Sequence, residues 1–290
     1  MRIGLQIPEF RGEGGTAEIG PRLARTAVAA EEAGFTHVAL MDHFFQIERF
    51  GGSNGEMLEA YTALGFLAAH TRTAQLLTLV TGAVFRHPGV LAKTVTTLDV
   101  LSGGRAALGI GAAWSDEEAL GLGIPWPSLG ERFDRLEETV RIVLKMWSED
   151  ESPYQGKHYR LDRPLNVPQP LTKPHPPIMI GGSGERRTLR LVAKYAQACN
   201  FFPSPALPHK LDVLRRHCDT EGTDYDAIEK TCTIFFDVGA RGEKAPVLVK
   251  ALGSLSKLGI QTVIGPVIGA ETITPLEIMG RTVIPEVTGL

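Results

Sequence analysis

The chain has 290 residues, 43% hydrophobic and 22% charged, with a formal net charge of −3. That composition fits a soluble globular protein with a large core and excludes collagen-like and disordered classes; no 18-residue apolar stretch suggests a membrane span. A pI near 6.3, with Lys and Arg scattered among acids as in RFDRLEETVR (132–141), leaves no basic footprint for nucleic acid.

The N-terminal MRIGLQIPEF enters a strand pattern at once, without the charged, apolar and small-residue regions of a signal peptide, so the expected location is the cytoplasm. The sequence then predicts a helix over 20–33 stopped by Gly34, a strand over 38–42, a helix from about 56 to 70, and a strand in LLTLVTG (76–82). A helix from Pro88 to Leu101, the turn SGGR, the strand AALGIG (106–111) and a helix in ERFDRLEETVRIVLKMW (131–147) follow. Such alternation implies a parallel sheet. The proline-rich stretch 148–177, with one hairpin-like piece YQGKHYRL (154–161), reads as an excursion over the surface, too short to be a domain. Beyond it come PIMIGG, a helix from about 185 to 196, ACNFF, a helix from about 208 to 221, TCTIFFDVG, a helix from about 244 to 258, TVIGPV and a last helix from about 276. Eight βα units predict a single (β/α)8 TIM barrel over 1–290 and disfavour an open doubly wound sheet. Cys199, Cys218 and Cys232 lack metal-ligand spacing, and their odd number suits reduced, buried thiols; no metal site is expected.

In such a barrel, chemistry sits at the C-terminal ends of the strands. The second predicted strand, in HVALMDHFF (37–45), runs into Asp42 and His43; taken alone, the acid equally suits a turn cap and the imidazole a packing role. Strands three and four end in LVTGAVFRHP and GIGAAW, where Gly82, Gly109, Gly111, Ala112 and Ala113 leave room for a flat ring near the backbone. The fifth leads into Gly181, Gly182, Ser183 and Gly184, followed by Glu185-Arg186-Arg187 as the expected first turn of a helix. Free backbone N–H groups, a helix start and two arginines point to an anion.

MDHFF (41–45), TGAVFRHPGVLAKTVTTLDVLSGGRAALGIGAAW (81–114), ERFDRLEE (131–138) and PPIMIGGSGERRTLRLVAKYAQACN (176–200) resemble the luciferase-like monooxygenase superfamily, specifically its branch using the deazaflavin coenzyme F420. The resemblance implies a flavin or deazaflavin ring against the ends of strands two to four, with a non-prolyl cis peptide near Leu79-Val80. It implies Asp42 at the ring edge and His43 beside the reacting carbon. Val80, Thr81 and Gly82 would line the ring with Ala112 and Ala113, Gly181 to Gly184 would take the phosphate, and Asn200 would touch the cofactor or the pocket wall. His43 would then donate or accept a proton as hydride moves, a task for a group titrating near neutrality.

One position departs from the pattern. Some deazaflavin sugar-phosphate dehydrogenases of this fold carry a glutamate acid where this chain has Trp114, so their substrate is not implied. Glu9, Phe10, Phe44, Phe45 and Trp114 are candidates for a substrate pocket, or else pack loops. His37 begins its strand and falls on the stability face; Arg86 and His87 stand at a helix entry; Asp99 and Arg105 bracket a turn at the bottom. The function expected is an F420-dependent oxidoreductase acting on a small molecule, as a homodimer. The alternatives are an FMN-dependent monooxygenase and a non-catalytic flavin- or deazaflavin-binding relative. A metal-dependent hydrolase ranks last, because no H-x-H pair stands at a strand end.

Overall fold

Residues 3–7, 37–40, 76–78 and 106–111 are buried without alternation, the pattern of parallel strands covered by helices outside and by one another inside. The computed structural model describes residues 1–290. In chain order it contains β1 (Arg2–Ile7), α1 (Ile19–Glu32), β2 (His37–Leu40), α2 (Ala60–His70), β3 (Gln75–Thr78), β4 (Thr81–Gly82), α3 (Pro88–Ser102) and β5 (Ala106–Gly111). Next come α4 (Glu117–Gly121), α5 (Leu129–Trp147), the hairpin β6 (Tyr154–Gln155) and β7 (Arg160–Leu161), β8 (Ile178–Gly181), α6 (Thr188–Tyr195) and β9 (Ala198–Phe201). The chain ends with α7 (Leu207–Glu221), β10 (Glu229–Cys232), α8 (Ala245–Lys257), β11 (Thr262–Gly265), α9 (Thr274–Thr282) and α10 (Ile284–Thr288).

The parallel strands follow the order β3-β2-β1-β11-β10-β9-β8-β5, and a β3–β5 pairing closes the ring. This is the predicted eight-stranded barrel. Short β4 resumes the line of β3 after a break and pairs with β5, Thr81 facing Ile110 and Gly82 facing Gly111. Ala39, Leu77, Ala107, Met179, Ala198 and Ile264 fill the barrel interior, while the larger core lies between strands and helices. Cys199, Cys218 and Cys232 are unpaired and buried. No helix is long and apolar enough to cross a membrane.

Helix boundaries depart from the sequence expectation where caps decide them. Helix α2 begins at Ala60 rather than near 56, because the Glu59 side chain accepts the N–H of Thr62 at 2.6 Å and fixes the start there. Helix α6 begins at Thr188, so Glu185, Arg186 and Arg187 form a turn ahead of it instead of its first turn. The five-residue α4 has no counterpart in the predicted elements.

The bottom of the barrel holds its polar groups against backbone. Arg105 donates to the carbonyls of Ala68, Thr71, Ala74 and Ser102 at 2.8–3.0 Å. Asp99 accepts the Thr172 N–H at 2.9 Å and its hydroxyl at 2.7 Å. Both are structural, as expected. His37 is buried in the same region, with Nδ1 2.8 Å from the Thr36 hydroxyl.

Candidate active site

Beyond β2 the chain runs through Met41, Asp42 and His43, all buried at the C-terminal rim. His43 Nδ1 lies 2.5 Å from an oxygen of Glu118, which stands in α4 and is almost wholly buried. The other Glu118 oxygen accepts the N–H of Phe44 at 2.5 Å and that of Phe45 at 3.4 Å. A carboxylate filled by such donors acts as acceptor throughout, so Nδ1 is the donor in the pair. That leaves Nε2 free to take or give a proton in the cavity that His43 lines. Trp114 packs edge-on against the imidazole, with centroids 5.4 Å apart.

Asp42 has a different partner. Arg86 clamps both its oxygens, at 2.6 and 2.9 Å, and pairs with Glu59 as well. Burial pushes the Asp42 carboxyl above its ordinary range, against the pull of Arg86. Burial also works against the Arg86 charge, but the hydrogen bonds and charge of Asp42 outweigh it and hold the guanidinium above its ordinary value. Arg86 is therefore the fixed partner of Asp42, a role beyond capping the helix entry.

The break between β3 and β4 contains the expected cis peptide, Leu79-Val80. Three hydroxyls brace it: Thr78 bonds the carbonyl of Gly109 at 2.9 Å, Thr81 lies 2.9 Å from Thr78, and Tyr61 lies 2.7 Å from Thr81. The nearby glycines serve the protein before any ligand. A Cβ on Gly109 would lie 1.8 Å from the Thr78 carbonyl oxygen, and Cβ atoms on Gly111 and Gly181 would lie 3.1 and 2.9 Å from Val80. The room read from Gly109 and Gly111 is thus taken by the Val80 turn, and Val80 becomes the wall.

That wall faces a cavity of about 580 Å³. Asp42, Val80, Thr81 and Gly82 line it with Ala112, Ala113 and Trp114. Ala113 has φ 61°, left-handed for a residue with a Cβ, a conformation that surrounding structure must hold. Gly181, Gly182 and Asn200 complete the lining from β8 and β9. The Asn200 amide is largely engaged: it accepts from Thr231 at 2.8 Å and donates to Thr233 at 3.1 Å. Ser183 and Gly184 lie at the exposed rim, outside the cavity lining, with their N–H groups outside the main-chain hydrogen-bond network. Arg187, expected at the anion, instead pairs with Asp134 and donates to the Gly130 carbonyl at 2.7 Å. Arg186 stays exposed.

Four expected pocket residues stand elsewhere, and one of them, Phe45, packs over Gly121 of α4. Glu9 and Phe10 line an adjoining cavity of about 510 Å³ between the β1 and β11 loops, where Glu9 pairs with Arg11 at 2.7 Å. Phe44 packs against Phe85, with centroids 5.4 Å apart, instead of facing the cavity. The sequence reading missed Glu118, and it missed the aromatic wall of Phe50, Phe85, Phe202 and Phe235. Glu118 had one signal: an acid followed by apolar Ala119 and Leu120, four residues beyond the position where a glutamate was sought.

A model of the luciferase-like monooxygenase family matches residues 1–255. The chain belongs to that family. Within it, an F420-dependent glucose-6-phosphate dehydrogenase of Microbacterium testaceum (strain StLB037) is 35% identical over 196 residues, 67% of this chain and 56% of the relative. The chain spans about half the length of the curated relatives it matches. Luciferase-like folds are also seen in solved structures. Monooxygenase RslO1 from Streptomyces bottropensis superposes with TM-score 0.81 at 20% identity, covering 98% of this chain and 99% of that one. An F420-dependent secondary alcohol dehydrogenase in complex with an F420-acetone adduct gives TM-score 0.81 at 18% identity, covering 99% of each.

Proposed function

We propose that this chain is a coenzyme F420-dependent oxidoreductase that moves a hydride between the deazaflavin and a small organic substrate. The observation that carries the reading is the His43–Glu118 pair at the mouth of an apolar slot. Curated relatives named F420-dependent dehydrogenases support the choice of cofactor. When bound, a deazaflavin supplies a two-electron hydride donor or acceptor at carbon, since it has carbon where a flavin has N5.

The residues present fit that group. Val80, Gly82, Ala112 and Ala113 would flank the ring, while the Asp42 carboxylate is held by Arg86 with no side-chain surface exposed. The unengaged N–H groups of Ser183 and Gly184, with exposed Arg186, suit the phosphate and acidic tail. His43 holds or moves the proton at Nε2, and Glu118 fixes its tautomer and direction. The packed barrel interior closes the floor of the slot, and aromatic side chains surround its mouth.

The deciding experiment is titration of the purified protein with deazaflavin and with FMN. Deazaflavin should bind at least about tenfold more tightly, equivalent to about 1.4 kcal/mol. Tight FMN binding without measurable deazaflavin binding, together with oxygen consumption on adding reduced FMN, would move the protein to the monooxygenase class.

A further inference from the structure

The charges around the cavity narrow the substrate, an inference that rests on the deazaflavin reading and adds the substrate class. Apart from Asp42, clamped by Arg86, and the His43 imidazole, one charged side chain lines the cavity: Arg49. Its guanidinium carbon lies 4.0 Å over the ring of Phe235, which in turn stacks on Phe50 with centroids 6.1 Å apart. The adjoining cavity adds Arg11 and Arg22, and both are engaged. Arg11 pairs with Glu9 at 2.7 Å; Arg22 donates to the carbonyls of Phe10 and Glu13 at 2.5 and 3.0 Å.

A phosphate monoester carries close to two negative charges at neutral pH and is held by convergent cationic donors. Here a single arginine, flattened on an aromatic ring, is what the cavity offers. Apolar surface is what it leaves open: Trp114 is 67% exposed and Phe235 36%, both on its rim. Large apolar side chains held open around one hollow mark a ligand-contact surface. Trp114 follows β5 and Phe235 follows β10, three strands apart around the ring, the first beside His43 and the second beside Phe50. Between them, after β8, the Arg187–Gly130 bond brings the start of α5, with Leu129, against the Gly181-Gly182 loop.

We infer that the substrate is an uncharged, largely apolar molecule whose hydroxyl or carbonyl at the reacting carbon meets His43 Nε2. Phosphorylated sugars are then poor ligands here, whatever the names of the relatives. Phe50, Phe235 and Trp114 hold the body of the molecule, and Arg49 serves as a cap on Phe235 rather than as an anion clamp.

Calorimetric titration tests this on the full chain, with and without deazaflavin. The ligands are a panel of neutral ketones and alcohols including acetophenone and 1-phenylethanol, the carboxylate analogue 4-carboxyacetophenone, and glucose 6-phosphate. The tightest neutral ligand should bind at least about tenfold better than either anion. Phe235→Ala should weaken that ligand at least about fivefold and leave the deazaflavin Kd within about twofold. Tighter binding of glucose 6-phosphate or of the carboxylate analogue, no measurable neutral ligand, or indifference to Phe235→Ala would each overturn the inference. Failure of deazaflavin to bind would instead overturn the cofactor reading, and the titrations on the cofactor-free protein would still rank the ligands.

Discussion

The two ends of the barrel treat buried polar side chains differently. At the bottom, Arg105 and Asp99 meet mainly backbone groups, so the fold itself fills their hydrogen bonds. At the top, Asp42 meets Arg86 and His43 meets Glu118. A charge satisfied by backbone is fixed once the chain is folded. One satisfied by another side chain depends on a second residue, and a change there reorients it while the barrel stands.

The sharpest way to break this contrast is Arg86→Met, which leaves the Asp42 carboxyl buried without its partner. Loss of one member of a buried pair costs about 3–5 kcal/mol, readable as a lowered midpoint in urea unfolding. Adding Asp42→Asn should recover much of that loss. A loss under about 1 kcal/mol in the single variant would mean that Asp42 is already neutral in the folded protein, since burial favours its protonated form.

The bottom gives the next effect, through pH. Burial lowers the His37 imidazole from its ordinary 6.5 to about 4. The folded state therefore holds it neutral, and its stability is whole above pH 6.5 and drains away as pH falls towards 4. At 1.36 kcal/mol per pH unit, that gap amounts to roughly 3 kcal/mol. Urea midpoints measured from pH 7 to pH 4 should fall faster for wild type than for His37→Gln. Parallel curves would sink the assignment.

The smallest effect sharpens the top. In Glu118→Gln an amide must present its N–H₂ either to the Phe44 and Phe45 N–H groups, donor against donor, or to His43 Nδ1, which must then accept and shift the imidazole proton to Nε2. Single-turnover hydride transfer should drop about tenfold, less than the roughly 10²-fold expected for removing the acid–base group in His43→Ala. The imidazole ¹⁵N shifts should report a changed tautomer. An unaltered tautomer with an unaltered rate would make Glu118 a packing residue.

Much of this was legible because regular elements advertise themselves. Continuous apolar runs marked the barrel strands, and the strand-end rule drew attention to Asp42, His43 and Gly181. What escaped depends on contacts between distant segments. Glu118 sits 75 residues from His43, in a helix too short to show a period. Arg187 looked free for an anion until α5 brought Asp134 to it from 53 residues away. Glu9 and Phe10 were misassigned for a related reason: strand order puts β1 beside β2 and β11, but whether its loop leans towards His43 or towards the β11 loop is not written in local pattern.

Val80 carries a consequence for how this site can diversify. Its side chain is hemmed by glycines on β5 and β8, so neither Val80 nor those glycines can change alone without overlap or a void. The facing wall is built from side chains resting on other side chains, such as Arg49, Phe50 and Phe235. A descendant of this chain would keep the first wall as inherited scaffolding and explore new ligands by substitution in the second.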